Sequence, residues 1–261
     1  WDGISKTSSA QGDMFIAKYN NNGKILWVRN GDIGEDGYLY GIDTDKSGNV
    51  YVSSNLSGET HFEGAPIVST TGANNMFLIK YDTSGNFVWI KTAGGIGDDG
   101  GNDVKIDSDG NILVAGYFRD NAKFDNTILT AHGSFDIFAA KYSPTGKLIW
   151  VKQFGGTGSQ TAWAVNSDEK NNCYLTGWFS GTGAFDNTTI VSTGDADAYI
   201  IKYDKNGNLI WVEPTATGLD KQVCQSVFVK ANNLAISGYY LGEMNIQGGI
   251  FPNSGGEDGY L

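Results

Sequence analysis

Apolar residues fall in short runs separated by polar, Gly-rich turns, with a turn about every 8 to 14 positions along the chain. That spacing is the pattern of an antiparallel β meander. Residues 75–81 predict a strand, Asp82-Thr83-Ser84-Gly85-Asn86 a turn, and residues 87–91 the returning strand. A Gly-rich stretch over 93–101 predicts a loop. Residues 103–107 and 112–118 then predict a hairpin closed at Asp109-Gly110, an Asp-Gly pair being a strong tight-turn signal. The weaker run Phe124-Asp125-Asn126-Thr127-Ile128-Leu129 predicts an extra short hairpin. No window carries the 3.6-residue period of a helix.

The same pattern recurs. Asp13-Met14-Phe15-Ile16-Ala17-Lys18-Tyr19 returns at residues 75–81, 136–142 and 197–203, at offsets of 62, 61 and 61. Trp27, Trp89, Trp150 and Trp211 keep that spacing, as do Gly23, Gly85, Gly146 and Gly207, and Asn49, Asn111, Asn172 and Asn233. Units start near residues 1, 62, 124 and 185, and residues 246–261 repeat the phase of the first 16. The expectation is one array over 1–261, with four units of about 61 residues and a partial fifth. Four antiparallel strands per unit define an all-β β-propeller blade. The overlapping ends would compete for one slot in a four-bladed ring, so a part of a larger propeller is expected. The repeated Trp reads as blade-to-blade packing. Runs such as Ile25-Leu26-Trp27-Val28 are apolar on both faces because stacked blades are expected to bury both.

Composition narrows the function. Asp plus Glu total 29 against 18 Lys plus Arg, a net charge of −11, which argues against nucleic acid as a partner. No apolar run approaches the roughly 18 residues of a membrane span. Two Cys and two His rule out a disulfide-stapled scaffold and a Cys- or His-rich metal centre. Cys173 occupies the position of Val50 and Ile112, where a small buried hydrophobe is wanted.

Gly-Asn-aromatic-Val-Trp, Gly-Gly-x-Gly-x-Asp, Asp-x-Asp-Gly-Asn and Asp-x-Phe-x-x-Lys-Tyr stand in order, most clearly from Trp89 to Tyr142. This set resembles the secreted bacterial β-propeller repeat family (SBBP). The resemblance covers nearly the whole chain and weakens in the last unit, where Val229-Lys230-Ala231-Asn232-Asn233 replaces the acidic turn. It implies a seven-bladed propeller, an exported or cell-surface location, and continuity with further blades or a C-terminal sorting domain. It implies little about biochemical role.

Two features invite chemistry. Asp43-Thr44-Asp45-Lys46-Ser47-Gly48 imitates the start of a calcium loop, but Ser54 stands where a bidentate Glu is required, so hairpin turns are expected and no metal or cofactor. Lys18, Lys80, Lys141 and Lys202, each followed by Tyr, repeat too perfectly for a catalytic site and are expected to lay their stems over the neighbouring blade. The more informative asymmetry lies in the connections. Turns such as 20–23 and 107–110 are short and alike, whereas 30–37, 93–101, 155–161 and 215–221 are longer and differ between units. Rigid scaffolds carry their binding residues on such loops. Glu35, Asp36, Asp98, Asp99, Gln160 and Asp220 are therefore the candidate ligand-binding residues, most of them forming an acidic rim. The expected function is a non-enzymatic extracellular scaffold that binds a protein or glycan. The alternative is a secreted carbohydrate-active enzyme, a glycosidase or lyase, using paired carboxylates at the channel mouth.

Overall fold

The computed structural model describes residues 13–32, 39–70, 72–185, 188–231, 233–253 and 255–260. The first sheet begins with β1 (Asp13–Tyr19) and β2 (Ile25–Asp32). One complete unit follows, made of β3 (Leu39–Thr44), β4 (Val50–Leu56), β5 (Glu59–Phe62), β6 (Val68–Ser69), β7 (Asn75–Tyr81) and β8 (Phe87–Ala93). The second comprises β9 (Gly100–Ile106), β10 (Ile112–Phe118), β11 (Asn121–Phe124), β12 (Thr127–Thr130), β13 (Asp136–Tyr142) and β14 (Leu148–Phe154). The third comprises β15 (Gln160–Ser167), β16 (Cys173–Phe179), β17 (Thr182–Phe185), β18 (Thr188–Val191), β19 (Asp197–Tyr203) and β20 (Leu209–Ala216). Last come β21 (Gln222–Lys230), β22 (Asn233–Tyr240), β23 (Met244–Ile246), β24 (Gly249–Phe251) and β25 (Asp258–Tyr260).

Three four-stranded antiparallel meanders result: β3-β4-β7-β8, β9-β10-β13-β14 and β15-β16-β19-β20. The chain is all-β and propeller-like. Each inner strand packs on the next, β3 on β9, β9 on β15 and β15 on β21, so the inner strands surround an axis. Among the described residues the sheets do not close into a ring: the first is β1-β2-β5-β6 and the last β21-β22-β25.

The extra hairpin does more than decorate its own unit. β5 pairs with β2 of the preceding sheet, Gly31 opposite Phe62. Antiparallel bridges at Gly94–Lys123, Gly155–Ala184 and Thr217–Asn245 repeat that contact along the array. Each hairpin thus extends the outer strand of the blade before it, covering an edge that would otherwise be open.

Burial on both faces falls on the two middle strands rather than the outer one. β4, β7, β10 and β13 are buried almost throughout. Leu26, Val88, Ile149 and Ile210, all on outer strands, are exposed. The apolar outer runs therefore carry a buried or half-buried Trp next to one exposed apolar residue, with a half-buried or buried residue after it. Trp27, Trp89 and Trp150 each donate the indole N–H across a blade joint, to the carbonyls of Thr83 (3.1 Å), Pro144 (3.3 Å) and Lys205 (3.2 Å). A Cβ on Gly85 would stand 2.7 Å from the Trp27 ring, so the glycine that turns the next hairpin also makes room for the indole.

Most tight turns are closed by their own carboxylates, whereas Asn20 uses its amide oxygen and Ser143 its hydroxyl. Asp45 Oδ1 accepts the Ser47 and Asn49 backbone N–H groups, and its Oδ2 accepts the Asn49 amide and the Tyr51 hydroxyl. Asp82, Asp107, Asp168 and Asp204 build the same Asx turn. Burial alone would raise the Asp45 carboxyl, but these hydrogen bonds outweigh it and hold the group below the usual range. The repeated Lys side chains reach across joints to turn carbonyls, Lys80 to Pro144 and Lys141 to Lys205. Cys173 and Cys224 are buried free thiols, and burial pushes both up.

Candidate binding face at the long-connection end

Inner strands start, and the extra hairpins project, at the end carrying the long connections. Two devices shape this end. The first is a buried acid or amide that opens the third strand of each meander. Asp136 accepts the His132 N–H (3.0 Å), the Gly133 N–H (3.3 Å) and the Gln153 side-chain amide (2.8 Å). Asp197 accepts the Thr193 and Gly218 N–H groups. Asn75 stands in that position in the first complete unit, and Asp99 supplies the carboxylate instead, accepting Gly95 N–H at 2.8 Å and Arg119 N–H at 3.2 Å. The Gly-Gly signature belongs to this packing: a Cβ on Gly95 would lie 1.9 Å from the Asn121 carbonyl.

The second device is a β-bulge in every inner strand. Ladder register skips one residue at Tyr40, Asn102, Trp163 and Gln225. A bulge re-aims its side chain out of the pleat. The rings of Tyr40 and Trp163 meet edge to face, centroids 6.4 Å apart, although β9 lies between their strands. Both therefore project toward the axis, with Asn102 on the intervening bulge. Asn102 donates its amide to the Ala162 carbonyl at 2.8 Å. Among the described residues, Asn102 Oδ1 and the Trp163 indole N–H are buried without a hydrogen-bond partner. Buried polar atoms are nearly always satisfied, so the unused acceptor of Asn102 and donor of Trp163 stand out on the bulges.

More aromatics ring this end. Tyr117, Trp178 and Tyr239 are the penultimate residues of β10, β16 and β22. Tyr117 packs edge to face on Phe135 at 5.6 Å. The Lys221 ammonium lies 5.1 Å from the Trp178 ring and 6.0 Å from Tyr239. Burial, then the charges of Asp98 and Asp99 with Tyr40 beside them, push the Tyr117 hydroxyl well above its ordinary value.

The candidate residues divide in this frame. Glu35 and Asp36 lie outside the described residues. Asp98 is half-buried and accepts the Asn74 amide at 2.9 Å. Asp220 is exposed and lines a hollow of about 420 Å³ with Thr193, Leu219 and Glu243. Asp99 and Gln160 are each 1% exposed, so neither belongs to an exposed rim. Gln160 occupies the place of Asp99 one unit later and donates to the Ser180 carbonyl at 3.1 Å. Pattern reading missed the bulge residues because a bulge is a property of pairing. Their one signal was a 62, 61, 62 spacing at which residue type changes every time. A hollow of about 610 Å³ also opens at the tight-turn end, between Lys105, Asp107, Asn166 and Phe228.

Burial raises the Asp99 carboxyl to about 7, backbone N–H donors oppose that rise, and Asp98 and Asp120 add to it. The folded chain thus keeps a proton to about pH 7 that the unfolded chain loses near the ordinary value of 3.8. Stability contributed by this group falls as pH rises through that window. Asp99→Asn should remove this slope, gaining about 1–3 kcal/mol at pH 8 and little at pH 4. Urea midpoints of parent and variant at both pH values measure it; equal differences would contradict the assignment.

No family model matches the chain. It is 26% identical over 213 residues, 74% of its length, to an uncharacterized WD repeat-containing protein of Acanthamoeba polyphaga mimivirus. It is 26% identical over 193 residues, 71% of its length, to the regulatory protein FlaEY of Caulobacter vibrioides. The chain spans 15% and 19% of the lengths of those two proteins. The similarity accords with a repeat protein of propeller-like build.

Proposed function

We propose that this chain is a non-enzymatic propeller scaffold that binds a glycan at the axial mouth of its long-connection end. The carrying observation is the bulge set: the Tyr40–Trp163 aromatic pair, with the Asn102 side-chain carbonyl and the Trp163 N–H both lacking a hydrogen-bond partner among the described residues. Aromatic faces cover the apolar C–H face of a sugar ring, and one acceptor plus one donor suit its hydroxyls. Likeness to a WD repeat-containing protein supports a scaffold rather than an enzyme. The SBBP-like motifs support an exported or surface location.

The test is a panel of soluble glycans and polysaccharides read for both binding and product release. Binding without release is expected, with Trp163→Ala weakening it at least tenfold, about 1.4 kcal/mol. Release of shortened products would favour the glycosidase or lyase reading. Binding only to proteins, or unchanged in Trp163→Ala, would overturn the glycan reading at this mouth.

A further inference from the structure

Charge at the long-connection end is lopsided. On segments 94–99, 119–120, 192–196, 217–221 and 241–243 the carboxylates of Asp98, Asp120, Asp195, Asp220 and Glu243 are exposed or half-buried, whereas the cations are Arg119 and Lys221. Both cations already lie over rings, Arg119 at 5.9 Å from Phe135 and Lys221 at 5.1 Å from Trp178. The acids at the opposite end are occupied by the donors of their own turns. Asp98 is less committed. Its Oδ1 accepts the Asn74 amide at 2.9 Å, and among the described residues its Oδ2 has neither a hydrogen-bond donor nor an ion-pair partner. The Tyr117 hydroxyl has no hydrogen-bond partner among them either.

These groups come together over a glycine. A Cβ on Gly100 would stand 2.9 Å from the Tyr117 ring and hydroxyl, so a bare backbone is what lets the phenol lie across β9. Asp98, Tyr40 and Asp99 all act electrostatically on that hydroxyl, and Tyr40 in turn meets the Trp163 ring. Asn102, only 4% exposed, faces the same joint between the second and third units. Its amide donates to the Ala162 carbonyl on β15, while Tyr117 packs on Phe135, which bridges to Ser159 just before β15. The Asn102 Oδ1 is the buried acceptor left unused. The joint thus gathers a carboxylate, a phenol and an amide oxygen with aromatic rings beside them.

Resting on the glycan reading, we propose that the sugar bound at this mouth carries free amino groups, with one ammonium seated among Asp98, the Tyr117 hydroxyl and Asn102 Oδ1. Three acceptors suit the three donors of an ammonium, and ring faces attract a cation through their quadrupoles. An N-acetylated sugar offers one N–H and no charge to the same oxygens. A uronic acid meets like charge. The remaining carboxylates of this end add a longer-range attraction for a chain of amino sugars.

Isothermal titration calorimetry of the 261-residue chain with equal-length oligomers of glucosamine and N-acetylglucosamine tests this, at a pH below the pKa of the sugar amine. The glucosamine oligomer should bind about tenfold tighter, as a charge-assisted contact warrants, and added salt should shrink that advantage. Asp98→Asn keeps an acceptor for the Asn74 amide; it should abolish the preference and leave binding of the acetylated oligomer unchanged. Asp220→Asn should cost the glucosamine oligomer far less, because that charge is exposed. Trp163→Ala should weaken both oligomers. A preference for the acetylated oligomer, a preference that survives Asp98→Asn, or equal losses at Asp98 and Asp220 would overturn the amino-group assignment and leave the glycan reading standing. Silence with both oligomers also overturns the assignment; silence across the wider glycan panel overturns the glycan reading beneath it.

Discussion

Asp107→Ala is expected to lower stability by about 3–5 kcal/mol, as removing one partner of a buried ion pair does. Lys141 Nζ lies 2.8 Å from Asp107 Oδ2, and their side chains are 4% and 0% exposed. Asp107 also accepts the Asp109 and Asn111 N–H groups. Losing it strands an ammonium and opens a turn together. Two relatives within the chain supply the control. Lys80 and Lys202 lie over the rings of Tyr51 and Tyr174, at 5.0 and 4.9 Å, whereas Leu113 stands in that place beside Lys141. The Lys202–Asp168 distance is 3.9 Å, with side chains 21% and 10% exposed. Asp168→Ala should therefore cost clearly less, about 1–2 kcal/mol for its turn and a weaker ion pair. Lys141→Met should cost less than Asp107→Ala, because Asp107 retains its turn donors. Urea denaturation of the three variants decides it: equal losses at Asp107 and Asp168 would show that the pair adds nothing beyond the turn.

The second large effect is expected at Asp136. Its side chain is 0% exposed and ties the connection at His132–Gly133 to Gln153 on the outer strand β14. Asp136→Ala leaves three buried or half-buried donors without their acceptor, each loss worth about 1–3 kcal/mol and partly recovered by water. A net loss of about 2–4 kcal/mol follows, a fall in Tm of roughly 10 °C. Hydrogen exchange should place the opening at His132 and Gly133 and spare the Asp168 turn at the opposite end. Uniformly faster exchange would mean that Asp136 supports the whole array rather than one connection.

Both sites show what could be read from residues alone. The unit length, the four strands and the tight turns were legible because each depends on neighbours in sequence: an apolar run, then Asp or Asn four residues before Asn or Lys. The short hairpin at 124–129 was also legible, and it forms as β11 and β12. Its bridge to the preceding blade was not, since Gly94 and Lys123 meet only when two units stack. Asp98 and Asp99 look equivalent in sequence, yet one is half-buried at the connection's surface while the other is enclosed and closes the loop from within.

The sequence by itself determined the repeat and the pleat, because local hydrogen bonds and side-chain alternation act over a few residues. Tertiary structure alone decided which acids are buried and which residues bulge toward the axis. Those properties depend on the register between strands and the stacking of blades, and one-residue differences in pairing redirect a side chain without altering the pattern that encodes the strand.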